Sequence, residues 1–165
     1  MDEIDDIDHV ELEPPKVFDA ITFLTQFGPL KREYPDEQAF REDIRSTIQN
    51  YLEKNNLASS YGLLVPGRDG EAIPPANIFG AEFLPDMVLV QQDGEPVAAI
   101  LTKLVKANPD GLVQAVGRAV LFSHRYPWIL SLVLDKGKRH REKRELDHRF
   151  RADMWHNRHV RFLFR

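Results

Sequence analysis

The sequence predicts an α/β fold, a central mixed β-sheet with helices on both faces, and three observations point there. Apolar residues recur at helical spacing in separate segments towards both ends of the chain. Between those segments lie short runs, MVLV, PVAAIL and WILSLVL, bounded by Gly, Pro and Asp. The runs are apolar on both sides of the strand alternation, so the sheet needs cover on both faces.

Residues 1–15 have no apolar periodicity and end in Pro14 and Pro15, which predicts a flexible acidic N-terminal arm before a single domain at 16–165. Val17, Ala20, Ile21 and Leu24 then share one helical face, and Gly28 with Pro29 supplies the stop. A longer helix is expected from Asp36, an N-cap following Pro35, with Phe40, Ile44, Ile48, Tyr51 and Leu52 turned to the core and an end at Asn55 and Asn56. YGLLV reads as a short strand, and PGRDGEAIPPANIFG is rich enough in Gly and Pro to read as a loop on the rim of a cleft.

From Phe83 to Lys106 the pattern is strand, turn, strand. Asp93 and Gly94 predict a two-residue hairpin turn, because Gly accepts positive φ and Asp tolerates it. That turn would set Gln92 opposite Glu95, Val90 opposite Val97 and Asp86 opposite Leu101. Alternation then places Leu84, Asp86 and Val88 on one face with Ala99, Leu101 and Lys103, and Met87, Leu89, Ala98 and Ile100 on the other. A helix is expected over 108–125, with Pro109 in its first turn and Leu112, Val116, Ala119, Val120 and Ser123 on one face. PWILSLVLDK reads as a buried strand, the charged segment 139–157 as a helix with a thin stripe of Leu146, Phe150, Met154 and Trp155, and VRFLFR as a last alternating strand.

Composition narrows the chemistry. The chain has 165 residues, enough for one domain with a core, and no cysteine, so disulfides, thiolate nucleophiles and sulfur-bound zinc are excluded. Its acidic start is unlike a secretory signal and no run reaches the length of a membrane span, which predicts an intracellular, cytoplasmic protein with no membrane partner. A net charge of -4 hides a split between an anionic start and a cationic end, the latter suited either to phosphate groups or to a solvated helix face. The histidines at 140, 148, 156 and 159 have no carboxylate or cysteine completing a ligand set and read as solvated helix residues; Trp128 and Trp155 read as core.

Pro85 and Asp86, a hairpin, then ILTK ending in Lys103, and a helix carrying QAVGRA resemble the PD-(D/E)XK nuclease superfamily, which has the restriction endonuclease-like fold. The likeness covers residues 36–136. It implies a Mg²⁺-dependent endonuclease ancestry in which Asp86 is a catalytic, metal-binding carboxylate, Thr102 offers its backbone carbonyl to the metal and Lys103 is the catalytic lysine. Gln114 and Arg118, one turn apart, would contact the DNA backbone. Glu37 is the candidate accessory acid from the early helix. Relatives often form homodimers.

The sequence departs from the superfamily where a second acid belongs: position 101 is Leu101. One carboxylate makes a poor Mg²⁺ site, since the ion wants several oxygen ligands. The expectation is therefore a nuclease-like protein with a degraded site that binds DNA with weak or no cleavage, and in which Asp86 and Lys103 could simply pair as ions. A noncatalytic protein-interaction scaffold and an active Mg²⁺ endonuclease using a relocated acid are the alternatives.

Overall fold

β5, Pro96–Val105, is the longest strand and organises the molecule. The computed structural model describes residues 12–139 and 145–165. Five strands lie in the order β1 (Tyr61–Leu64), β4 (Met87–Gln91), β5, β6 (Ile129–Asp135) and β7 (Val160–Phe164). The first three are antiparallel and the last three parallel, so the sheet is mixed, as the patterning predicts. The proposed arm at 1–15 lies mostly outside the described residues.

The helices cover both faces. α1 (Lys16–Phe27) and α2 (Glu37–Lys54) bury Phe18, Ile21, Phe40, Ile44 and Ile48 against Met87, Leu89, Ala98, Ile100 and Leu132. Asp36 caps α2 by accepting the Ala39 amide at 2.8 Å, a contact worth about 1 kcal/mol. On the opposite face α4 (Asp110–Ser123) sets Ala119 and Phe122 against Val88, Ala99, Leu101 and Ile129. α5 (Glu145–Arg158) straddles the β7 edge, with Met154 in the second core and Trp155 against the first. Phe18, Phe40 and Phe122 are each 1% exposed; such burial stabilises by about 2 to 3 kcal/mol per ring. Trp128 is core as expected, and His159, read from sequence as a solvated helix residue, follows α5 and stacks on it at 4.3 Å. His140 and the neighbouring basic residues up to 144 lie outside the described residues.

The structure corrects three local expectations. Residues 66–80, read from sequence as loop, carry a helical turn α3 (Pro66–Asp69) and the first strand of a hairpin, β2 (Ala76–Ile78), whose second strand is β3 (Ala81–Phe83). The β4–β5 turn uses three residues, Gln92 to Gly94: Gly94, at φ 90°, donates to the Gln91 carbonyl, and the Gln91 amide donates to Glu95. That extra residue makes a bulge and pairs Val90 with Pro96 instead of Val97, whereas Met87, Val88 and Leu89 keep the expected partners Ile100, Ala99 and Ala98. Finally, Asp86 does not lie within a strand, because β4 begins at Met87.

Candidate functional site

β4 stops at Met87 opposite Ile100, while β5 runs on to Val105. This leaves a notch where one edge of β5 has no neighbouring strand. Ala99 donates its amide to Trp128 on the β6 side, so by alternation the amides of Thr102 and Leu104 turn to the open edge. Carboxylates replace the missing strand there: Thr102 N donates to Asp86 Oδ2 at 2.7 Å, and Leu104 N to Glu37 Oε2 at 3.1 Å. The hydroxyl of Thr102 adds a second bond to Asp86 Oδ2 at 3.2 Å.

Cations enter the notch from both faces of the sheet. From the α4 side, Arg118 grips Asp86 in bidentate fashion, Nη1 to Oδ2 and Nη2 to Oδ1, each at 3.1 Å. Its Nη1 also donates to the Thr102 carbonyl at 3.4 Å. From the α2 side, Arg41 Nη2 lies 3.1 Å from Asp86 Oδ1 and 3.6 Å from Glu37 Oε1, and its Nε reaches the Thr102 hydroxyl at 3.5 Å. Lys103 pairs with Glu37 across the open edge at 3.3 Å, so the expected Asp86 to Lys103 pair gives way to two separate pairings. Gly111 in the first turn of α4 lets the helix approach: a Cβ there would lie 3.1 Å from a Val105 methyl and 3.5 Å from Lys103 Cε.

Asp86 is 7% exposed, and a carboxylate is held that deep only when its lone pairs are met by donors. The side chains of Arg41 and Arg118 are 39% and 31% exposed, so each reaches the acid while remaining partly in solvent. With both acids ionised and all three bases protonated, the cluster carries one surplus positive charge.

The sequence-predicted residues Glu37, Asp86, Thr102, Lys103 and Arg118 therefore meet in one place. Gln114 is exposed, one turn before Arg118. Leu101 is 2% exposed and packs in the α4-side core. Arg41 escaped the sequence reading, although its position one turn after Glu37 was the available signal. Asp135 was also missed. This buried acid ends β6, accepts the amides of Gly137 and Arg139 at 3.0 Å, and pairs with the Arg139 guanidinium at 2.6 Å, while Lys136 N donates to Val105 O. The ends of β5 and β6 are thus tied together, with exposed Lys106, Lys136 and Lys138 around them.

These oxygens do not fit Mg²⁺ as they stand. Both oxygens of Asp86 and the Thr102 carbonyl are engaged by cationic side chains, and Glu37 is held by Lys103 and the Leu104 amide. Among the described residues no group of three His, Asp or Glu side chains is arranged to hold a metal ion, and no helix is long and apolar enough to cross a membrane. The chain matches no family model, no curated protein and no solved structure.

Proposed function

We propose that this chain is a PD-(D/E)XK nuclease-like protein with a restriction endonuclease-like fold, which binds the phosphate backbone of DNA and cleaves it weakly or not at all. One observation carries the reading: Asp86, Thr102 and Lys103 come together in the notch at the end of β5, ringed by the partly exposed side chains of Arg41 and Arg118. Partly exposed arginine side chains and a lysine at the end of a parallel strand pair suit phosphate oxygens. Gln114 and Lys106 extend that surface. No cleavage step follows from this geometry, because Leu101 supplies no acid beside Asp86.

Fluorescence anisotropy with a short duplex tests the proposal. Affinity should fall linearly with the logarithm of salt concentration, and Arg41→Ala or Lys103→Ala should each lower the slope by about one. No binding at low salt would overturn it. Plasmid cleavage with Mg²⁺ or Mn²⁺, lost in Asp86→Ala, would instead establish an active endonuclease drawing on Glu37. The scaffold reading has its own support in the β2–β3 hairpin, which presents Ile78, Phe79, Phe83 and Leu84 to solvent.

A further inference from the structure

We infer that Arg118 is a built-in cation standing where a divalent metal would sit, so that the buried Asp86 carboxylate is neutralised without metal. The inference rests on the nuclease-like reading, which makes the Asp86 carboxylate and the Thr102 carbonyl the shared ligands of one cation. Arg118 Nη1 takes both, at 3.1 Å and 3.4 Å, and Nη2 takes the second carboxylate oxygen at 3.1 Å. A guanidinium is charged at every working pH and its planar fork matches a carboxylate. Mg²⁺ at this place would need about six oxygens at about 2.1 Å. The three that these two groups offer, both oxygens of Asp86 and the Thr102 carbonyl, are already engaged by Arg118.

Two consequences separate this from simple loss of an acid. Restoring a carboxylate by Leu101→Glu does not by itself recreate a metal site, because Arg118 comes from the same face of the sheet and would pair with the new acid as well. Phosphate binding at the outer sides of Arg41 and Lys103 does not need a divalent ion, so chelator leaves it unchanged.

Thermal unfolding in EDTA and in millimolar MnCl₂ tests the inference on the wild-type chain, Arg118→Met and Arg118→Lys. The wild type and Arg118→Lys, which both keep a cation beside Asp86, should melt at the same temperature in both buffers. Arg118→Met should melt lower in EDTA and regain part of the loss with Mn²⁺. If Arg118→Met does not fold in EDTA, recovery of the folded signal on adding Mn²⁺ is the expected result and no recovery the overturning one. A second readout is the Mn²⁺ electron paramagnetic resonance signal: Leu101→Glu/Arg118→Met should bind the ion at least about tenfold more tightly than Leu101→Glu. Stoichiometric Mn²⁺ binding by the wild type, an Arg118→Met midpoint indifferent to Mn²⁺, or equal affinity of the single and double variants would overturn it. None of these measurements contains nucleic acid, so failure of the chain to bind DNA leaves the inference standing.

Discussion

Replacing Asp86 decides whether this acid holds the fold or is held by it. In Asp86→Ala the amide of Thr102, a fully buried residue, loses its acceptor; an orphaned buried donor costs about 1 to 3 kcal/mol. The two arginines lose their shared partner, but both are partly exposed and regain water, so they add only about 0 to 1 kcal/mol each. Against this stands the relief of no longer desolvating a carboxylate that is 7% exposed. The balance is a loss of about 2 to 3 kcal/mol. Asp86→Asn keeps an oxygen for the Thr102 amide and gives up the charge, so it should lose about half as much. Urea unfolding at unchanged m resolves both. An acid retained at a cost for chemistry behaves in the opposite way, its removal stabilising the protein. An Asp86→Ala chain as stable as the wild type, or more so, would falsify the structural role argued for this carboxylate.

Three further outcomes follow from the same geometry. Leu101→Glu puts a carboxylate into the α4-side core and should cost about 2 to 4 kcal/mol, visible as a lowered urea midpoint. Asp135→Ala strips acceptors from the Gly137 and Arg139 amides and leaves the Arg139 guanidinium, among the described residues, on the carbonyls of Lys106 and Ala107; a loss of about 3 kcal/mol is expected, with faster amide exchange at 136–139. Burial pushes the Tyr126 hydroxyl, which donates to the Pro74 carbonyl, up to about 12 from its ordinary 10. The folded chain then holds this proton more tightly than the unfolded chain. Its contribution is complete below about pH 10 and is lost as pH rises towards 12; Tyr126→Phe should flatten that part of the alkaline unfolding curve.

What was legible in the sequence was what short-range periodicity encodes. Phe40, Ile44 and Ile48 announce the buried face of α2, and Asp36 its cap. The Asp93 and Gly94 pair fixed the β4–β5 register well enough to put Leu101 and Lys103 on the α4 face, although a turn one residue longer introduced a bulge at Val90. The β2–β3 hairpin was illegible for a physical reason. Its tip is Phe79 and Gly80, with φ 49° and 79°, and a phenylalanine in the left-handed region is a conformation that turn chemistry reserves for Gly, Asn or Asp. Arg41 could be paired with Glu37 from sequence, but its contact with Thr102, 61 residues away, arises only when α2 packs on β5.

The notch also changes what an aspartate after a proline signifies. Where β4 stops, the outward amides of Thr102 and Leu104 need acceptors whether or not any reaction occurs, and Asp86 and Glu37 provide them. Loss of these acids would cost folding free energy, so folding alone favours them, with or without a metal. Position 101 has no such duty: its side chain points into the α4-side core, where an apolar residue is the stabilising choice. Stability alone favours Leu101 over an acid at this position while it favours Asp86 at the notch. Arg118 meets the one need that remains, a cation for a buried carboxylate. An intact Asp86 and Lys103 beside a leucine at 101 is therefore the pattern expected of a site held by folding rather than by chemistry.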